Sequence, residues 1–206
     1  MSRLKNYLLK EGVLGTVKHT WNKAVFRSKS KTVFLRMLLT DLSAFDGDGR
    51  IEKLCESNRV AFENIKFWDF LKTEEFIDSN NKSIVMIKQD MHYIGYVAEE
   101  HEIDREIHGL GLFMLGENEG WIGPAYVCRK WRKQGYNKKM IIHQLSQLKS
   151  KSISAAYTAI NSRNTASLNS FMSIGFETIG EVNDSGDIIC DPEGILHRAY
   201  KKGAGK

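Results

Sequence analysis

The sequence predicts an α/β domain, in which helices flank a β-sheet, preceded by a basic helical arm. Strand and helix patterns alternate through the second half of the chain, and the 206 residues, 42% of them hydrophobic, can form one substantial core. Positive charge is concentrated before residue 40, which indicates the arm. We expect the arm at residues 1–42, the domain at residues 43–202 and a flexible tail at residues 203–206.

The arm is distinguished by its charge and by its apolar spacing. Residues 1–38 contain nine lysines and arginines against one acid, Glu11, so they carry +8 while the rest of the chain carries −3. Leucines, valines and Trp21 recur at roughly helical spacing, which predicts a basic amphipathic helix or helix pair. Such a helix either packs on the domain or contacts an anionic membrane surface through residues 1–40. Nucleic acid is not expected as a partner, because duplex-binding motifs are absent and the remainder is mildly acidic.

The sequence predicts neither a signal peptide nor a membrane span. No apolar stretch approaches the roughly 20 residues that cross a bilayer, and the N-terminus lacks the apolar core of a signal peptide. We therefore expect a cytoplasmic protein, peripheral at the inner membrane surface if the arm binds lipid. Cys55, Cys128 and Cys190 are far apart and odd in number, so neither a disulfide framework nor a metal site is indicated.

The first half of the domain has weaker patterns. The glycines and aspartates of residues 43–50 predict a linker, and the apolar pattern of residues 51–71 predicts one or two helices. Period-two apolar patterns predict a hairpin of Ser83–Lys88 and Tyr93–Ala98, then a strand at Leu110–Leu115. Short strands near the C-terminus complete the predicted sheet.

The most informative segment is an apolar strand that leads through a basic loop into a helix. The strand is Pro124–Cys128, the loop and helix start are Arg132–Lys138, and the helix has one apolar face, formed by Met140, Ile141, Ile142, Leu145 and Leu148. The first N–H groups of a helix have no intrahelical acceptor and the helix dipole favours anions there, while Gly135 permits close backbone approach. This predicts a pyrophosphate site; the alternative is an ordinary strand-to-helix turn with a solvated basic patch.

A second strand, Ala155–Ile160, and a helix beginning near Thr165 follow. Two motifs of one family are matched here. The first is Arg-x-x-Gly, which begins at Arg132. The second is a set of five residues at fixed intervals: Asn164, Ser167, Phe171, Gly175 and Phe176. The chain thus resembles the GNAT superfamily of acyl-CoA-dependent N-acyltransferases. Asn137 departs from its first motif, where Gly or Ala is usual. The resemblance is clear from residue 121 to residue 182 and weaker upstream to residue 52.

The resemblance implies a mixed central sheet with two splayed parallel strands, and acetyl-CoA as the acyl donor. The pantetheine arm would pair with the backbone of the first strand, and the pyrophosphate would lie on the amides of Lys133–Lys138. Asn164 would hydrogen-bond the pantetheine arm. The donor-binding residues implied are Tyr126, Val127, Cys128, Arg132, Lys133, Gln134, Gly135, Tyr136, Asn137, Lys138, Asn164, Ser167 and Phe171.

The catalytic groups depart from the family pattern. Phe171 stands where the family often has a tyrosine that protonates the departing thiolate, and Trp121 stands where some members have a glutamate base. Glu119 lies two residues earlier on the same face of an alternating strand, so it is the nearest substitute base. Glu117 is a weaker candidate. Residues 99–101, E-E-H, are expected to form a polar connection that borders the acceptor cleft.

The function predicted is transfer of an acetyl or short acyl group from CoA to a primary amine by a GNAT-type N-acetyltransferase. By analogy with enzymes that carry a basic arm, the acceptor is an amino sugar of surface-polysaccharide assembly. The alternatives are acetylation of a peptide N-terminus or a lysine, and a non-catalytic acyl-CoA-binding module. A homodimer is compatible with the sequence.

Overall fold

The computed structural model describes residues 30–42, 47–68, 71–107 and 110–203. Residues 1–29 of the arm expected at residues 1–42 therefore lie outside the described residues, as does most of the expected tail. The strands are β1 (Lys31–Leu38), β2 (Ile51–Lys53), β3 (Lys82–Gln89), β4 (His92–His101), β5 (Arg105–Ile107), β6 (Gly111–Phe113), β7 (Glu119–Val127), β8 (Ala155–Asn161), β9 (Glu177–Asn183), β10 (Ile188–Cys190) and β11 (Tyr200–Lys202). The helices are α1 (Arg59–Ile65), α2 (Glu74–Ile77), α3 (Tyr136–Ser150), α4 (Thr165–Met172) and α5 (Ile195–Ala199).

The main sheet has eight strands in the order β10-β9-β1-β8-β7-β4-β3-β2. Its neighbouring strands pair antiparallel except for β7 and β8, which are parallel, so the sheet is mixed as predicted. A small antiparallel sheet of β11, β6 and β5 packs beside it. The predicted hairpin is confirmed as β3 and β4. Among the described residues, no helix is both long and apolar enough to cross a membrane.

The strand β1 lies in the middle of the main sheet, between β8 and β9. Phe34 and Leu35 are fully buried on opposite faces, because β1 is covered on both sides by neighbouring structure. The predicted boundary between arm and domain at residue 42 is therefore wrong for this segment, and the domain includes Lys31–Leu38. The two basic residues of this segment form ion pairs with acids from other parts of the chain. Lys31, at the start of the strand, pairs with Glu181, and Arg36 pairs with Glu193.

The region expected to be a linker and helices is also paired with the sheet. Residues 51–53 form β2, antiparallel to β3, instead of beginning a helix. Just before it, the Asp48 carboxylate accepts hydrogen bonds from Arg50 and Lys139, which fixes the turn against α3. The helix α1 begins only at Arg59. Residues 43–46 of the expected linker lie outside the described residues.

Each face of the main sheet has its own core. The face covered by α3 and α4, here called the α3 face, contains one large apolar cluster that includes Val97, Ile122, Met140, Leu145 and Phe171. The opposite face, here called the α1 face, is covered by α1, α2, α5 and the small sheet. It contains two clusters, one around Phe113 and Trp121 and one around Phe62, Tyr96 and Tyr126. Helix α3 buries the apolar positions predicted for it, except Ile142, which is partly exposed.

Residues 99–101, expected in a polar connection, instead belong to β4 and are buried. The strand continues through these polar residues because it is paired on both sides, with β3 and with β7. On the α3 face, the carboxylate of Glu99 is 0% exposed and accepts hydrogen bonds from Ser83 (2.9 Å) and Lys151 (3.2 Å). His101 Nδ1 lies 3.1 Å from the same carboxylate. These contacts attach the C-terminal end of α3 to the sheet.

We predict that Lys151→Met destabilises the protein by about 2 kcal/mol, because it leaves a buried carboxylate with one cation fewer. The loss is below that of a fully buried pair, since the Lys151 side chain is 36% exposed. The loss is measured as the decrease in the free energy of unfolding, from urea denaturation. Lys72→Met, which removes an exposed pair with Glu75, is the matched control and should cost less than about 0.5 kcal/mol. Equal losses in the two variants would show that the Glu99 contact contributes nothing beyond a surface pair.

Candidate active site

The site is centred on the point where β7 and β8 separate. The two strands pair only from Glu119–Trp121 to Ala155–Tyr157. Past these positions, the described residues show no further register pairing between them. Opposite this point the register of β4 on β7 shifts, and Gly123 has a φ of 124° and a cis peptide bond to Pro124. The gap between residues 122–127 and residues 158–161, here called the slot, confirms the predicted splayed strands.

One edge of the slot is the backbone of β7. The Cys128 amide donates to the Ile94 carbonyl of β4 at 2.7 Å, so strand alternation directs the backbone groups of Val127 and Ala125 toward the slot. The Val127 carbonyl accepts a hydrogen bond from Arg132 Nε at 2.9 Å. Of the three predicted strand residues, Val127 thus presents its backbone to the slot, while Tyr126 and Cys128 pair with β4. Ala125 was not predicted, because its orientation depends on the β4 register.

The slot leads to the N-terminus of α3. A 3₁₀ turn at Arg129–Trp131 follows β7, and the next residues, Arg132–Gly135, are exposed. Gly135 is the N-cap of α3 and has a φ of 79°, a conformation that disfavours any residue with a Cβ. A Cβ at this position would meet nothing within 4 Å, so the space above the loop is open. The first amides of α3 face this open space without intrahelical acceptors, which suits an anion.

The side chains at the start of α3 divide into two groups. Arg132, Lys133 and Gln134 are exposed at the loop. Three others bind neighbouring elements: Tyr136 donates to Gln89 (3.0 Å), Asn137 to Ser170 (3.3 Å) and Lys138 to the Ser173 carbonyl (2.9 Å). Tyr136, Asn137 and Lys138 therefore offer an anion mainly their backbone amides. The bond from Asn137 to α4 also gives a physical reason for a side chain where the motif usually has Gly or Ala.

A group of residues not predicted from sequence holds α3 in place. The Arg50 guanidinium lies 5.7 Å from the centroid of the Tyr136 ring and donates to Gln89, the residue that also accepts from Tyr136. Hydrogen bonds from Arg50 hold the pKa of the Asp48 carboxyl well below its usual range. This network connects the turn before β2, the β3–β4 hairpin and the first turn of α3. Sequence patterns gave no sign of it, because its members are far apart in the chain.

The second motif lies at the start of α4, beside the end of β8. Asn164 is the N-cap of α4, and its side-chain oxygen accepts a hydrogen bond from the Ser167 amide at 3.2 Å. Phe171 does not line an open surface: it is 2% exposed and packs edge-to-face on Phe176, with ring centroids 4.9 Å apart. Phe171 is therefore part of the α3-face core, and it carries no polar group toward the slot.

The predicted base, Glu119, lies at the closed end of β7. Its carboxylate accepts hydrogen bonds from the Tyr157 hydroxyl (2.9 Å) and from the Gly116 amide (2.8 Å). Burial, reinforced by the Glu119 charge, raises the pKa of the Tyr157 phenol. Gly123 is four positions after Glu119, which is about 13 Å along a strand. The structure does not bring Glu119 to the slot, and Glu117 is farther still along the chain.

A second carboxylate lies closer to the slot, on a residue that was expected from the sequence in a polar connection bordering the acceptor cleft. Glu100 is directly opposite Trp121 in the β4–β7 register, which places the two side chains on the same face with Cβ atoms about 5 Å apart. It is 3% exposed and forms an ion pair with Arg105. Burial raises its pKa, despite the opposing effect of Arg105. The strand alternation of β4 could have revealed this position, had residues 99–101 been assigned to the strand.

Aromatic side chains cover the α1 face near the open end of β7. The Phe67 ring stacks on the Tyr126 ring, with centroids 5.0 Å apart, and Trp68 packs edge-to-face on Phe67 at 4.8 Å. The Tyr96 hydroxyl accepts a hydrogen bond from the Phe67 amide at 3.1 Å. Residues 69–70 lie outside the described residues. In the described part of the chain, no group of three or more His, Cys, Asp or Glu side chains could hold a metal ion.

The site therefore combines a slot, along which the described residues of β7 and β8 show no register pairing, with an open helix N-terminus and a buried carboxylate on the α1 face. The sequence profile of the Acetyltransferase (GNAT) family matches residues 51–176, more than half of the chain. No match was found among curated proteins.

Solved structures share the fold. A protein of the GNAT family from Novosphingobium aromaticivorans DSM 12444 is 12% identical, with a TM-score of 0.56 over 75% of this chain and 62% of that chain. This chain thus spans less than two thirds of that protein. The aminoglycoside N-acetyltransferase AAC(6')-Iy in complex with CoA is 15% identical, with a TM-score of 0.52 over 62% of this chain and 90% of that chain. At such identities the structures establish the fold, and they confirm the predicted sheet architecture.

Proposed function

Because the chain belongs to the GNAT family of acetyltransferases, we propose that it transfers an acetyl or short acyl group from CoA to a primary amine. The observation that carries this proposal is the slot, which ends at the open N-terminus of α3. Acyl-CoA fits this arrangement, because an extended arm connects its thioester, which would lie in the slot, to a diphosphate, which would lie at the start of α3. The donor is acetyl-CoA, with its arm along β7 and its diphosphate on the amides of Lys133–Lys138.

The protein residues fit the donor in charge as well as in shape. Lys133 is exposed at the loop, and the guanidinium of Arg132 lies where β7 meets that loop. The pairing groups on the strand are the backbone groups of Ala125 and the amide of Val127, whose carbonyl accepts from Arg132. Tyr126 and Cys128, which were also predicted to pair with the donor, pair with β4 instead. Asn164, at the start of α4, is exposed and lies at the other side of the slot's open end. Two predicted donor-binding residues act indirectly. The Ser167 amide donates a hydrogen bond that holds the Asn164 side chain, and Phe171 packs in the core beneath α4.

We propose Glu100 as the general base in place of Glu119. An alkylammonium with a pKa near 10 is mostly protonated at neutral pH, so its deprotonation requires an acceptor near the reacting carbon. The Glu100 carboxylate takes that proton, and the amine nitrogen then attacks the thioester carbonyl. The nitrogen of the tetrahedral intermediate still carries one proton more than an amide, and water takes it. Collapse of the intermediate then breaks the C–S bond and the electron pair goes to sulfur. A raised pKa makes Glu100 a stronger base than a solvated carboxylate.

The acceptor we propose is an amino sugar, for two reasons. The fold neighbour AAC(6')-Iy has also been crystallised with the bisubstrate analogue CoA-S-monomethyl-acetylneamine, at 14% identity and a TM-score of 0.51. In this chain, the rings of Phe67 and Trp68 offer aromatic surface above the α1 face, which suits both a sugar ring and an ammonium group. An amino sugar of surface-polysaccharide assembly, carried on a nucleotide or lipid, would also be attracted by the charge of residues 1–38.

A second candidate is a non-catalytic acyl-CoA-binding module. It is favoured by one observation, that Phe171 and Trp121 stand where an acid and a base are usual in the family. Peptide N-termini and lysines remain the rival acceptors within the enzyme class. Thiol release on a panel of amino sugars, free-amine peptides and lysine separates these functions. Tight acetyl-CoA binding without thiol release on any acceptor would favour the module.

We predict that Gly135→Asp weakens acetyl-CoA binding by at least about tenfold, measured by titration calorimetry. Aspartate places a negative charge beside the amides that bind the diphosphate, and it disfavours the left-handed backbone at this position. Gly194→Asp is the matched control, since Gly194 is also left-handed and open to solvent but caps α5. If the two variants bind acetyl-CoA as the unmodified chain does, the diphosphate does not lie on the start of α3.

We predict that Glu100→Gln lowers kcat about a hundredfold, whereas Glu119→Gln changes it only a few-fold. The Glu100 pKa is raised, so the base is lost as pH falls through that pKa; kcat should decline on the acid side in the unmodified chain, and this decline should vanish in Glu100→Gln. Melting temperatures check that both variants are folded. A large loss confined to Glu119→Gln would return the base to the residue first predicted from the sequence.

We also propose that residues 1–40 contact anionic membranes, as their charge suggests. Co-sedimentation with phosphatidylserine vesicles should capture the full chain in low salt and release it at high salt. Deletion of residues 1–29, which keeps β1, should abolish capture. Equal capture of the deleted chain would show that the domain, not the arm, is the lipid-binding part. Analytical ultracentrifugation of the full chain and of the chain without residues 1–29 tests whether the protein forms a homodimer.

A further inference from the structure

We infer that the Thr158 hydroxyl is the hydrogen-bond donor at the closed end of the slot, where it stabilises the sulfur as the C–S bond breaks. This inference rests on the proposed acyl transfer from CoA. It answers a question left by Phe171, which has no proton or hydrogen bond to give to the leaving group.

Thr158 occupies the position at which the slot begins. It is the first residue of β8 past Tyr157, the last that pairs with β7. On its other side β8 remains paired with β1, where Thr158 is opposite Leu35. The Thr158 Oγ1 atom lies 3.8 Å from the point where a Cβ on Gly123 would be. The hydroxyl thus faces the β7 backbone at Gly123, where pairing between the two strands has just ended.

The surroundings make a hydroxyl at this position unusual. Thr158 is 4% exposed, and strand alternation places it in one row with Ala156 and Ile160, both of which belong to the α3-face core. A buried hydroxyl in an apolar row costs stability unless it finds a partner, and valine would have the same shape without that cost. Phe171 belongs to the same core cluster. Thr158 therefore places a hydroxyl on the α3 face, the face on which Phe171 stands in place of the tyrosine that is the acid in many family members.

The chemistry requires a hydrogen bond and no proton transfer from threonine. One ammonium proton is already on the carboxylate base when the amine attacks, and water takes the second proton from the nitrogen of the tetrahedral intermediate. When the intermediate collapses, the C–S electron pair goes to sulfur. The products are an amide, a protonated base, a thiolate and the proton that water has taken. A thiol of pKa near 8.5 leaves as a thiolate, and a hydroxyl donor shares its hydrogen with that anion while keeping its own proton.

The test compares Thr158→Val, which keeps the shape and removes the hydroxyl, with Thr158→Ser, which keeps the hydroxyl. The decisive readout is the pKa of the CoA thiol bound to the protein, from the ultraviolet absorbance of the thiolate as pH is varied. The kcat with acetyl-CoA, the Kd of CoA and the melting temperature are measured alongside. Thr73→Val is the matched control, because Thr73 is 1% exposed and is the N-cap residue of α2, away from the slot.

We expect Thr158→Val to raise the pKa of the bound thiol by about one unit and to lower kcat about tenfold, as for loss of one hydrogen bond to a charged group. Thr158→Ser and Thr73→Val should titrate like the unmodified chain. Thr158→Ala, which also lacks the hydroxyl, must agree with Thr158→Val, and this guards against a packing defect in one variant. An unchanged thiol pKa in both variants without the hydroxyl overturns the inference while leaving the acyl transfer intact. Failure of the unmodified chain to bind CoA would instead overturn the proposed function, and this inference with it.

Discussion

The architecture depends on the separation of one pair of parallel strands. Strands β7 and β8 share three residue pairs and then diverge, although unpaired backbone groups inside a protein are costly. The outer edges of both strands are held, by seven residue pairs of β8 with β1 and by six of β7 with β4. The register shift at Gly123 bends β7 away at the point where pairing ends. The gap is thus stabilised from outside, and strand alternation directs the Ala125 backbone and the Val127 amide into it.

The position of α3 follows from the same arrangement. Its N-terminus must lie where the slot opens, and it is held there by contacts from several elements. Asp48, Arg50 and Gln89 bind its first turn, and the Asn137 and Lys138 side chains bind α4. At the opposite end, the buried Glu99 carboxylate binds Lys151. A helix fixed at both ends presents its amides in a constant geometry, which an anion site requires.

Local patterns predicted the parts of the fold that depend on neighbours in sequence. The strand before Arg132 and the glycine at the start of α3 can each be identified from spacing alone. Asn164 was marked by the resemblance to the family motif, and its role as the N-cap of α4 comes from the structure. Strand β1 was missed because the basic residues around it indicated a helical arm, and pairing on both of its edges decided otherwise. The positions of Glu100 and Thr158 were not predicted for a different reason. Residues 99–101 were assigned to a polar connection instead of to β4, which hid the alternation that places Glu100. The point at which β8 leaves β7, which places Thr158 beside the slot, depends on pairing between strands that are distant in sequence.

The sheet separates the two halves of the proposed chemistry. Glu100 and the aromatic rings of Phe67 and Trp68 lie on the α1 face, whereas Thr158 and the start of α4 lie toward the α3 face. The slot is the place where a reacting carbon can be reached from both sides of the sheet. An amine that approaches from the α1 face therefore meets the thioester opposite the side on which sulfur departs. Because the carboxylate and the hydroxyl are on different faces, the proton taken from the amine and the charge left on sulfur stay apart until the products leave.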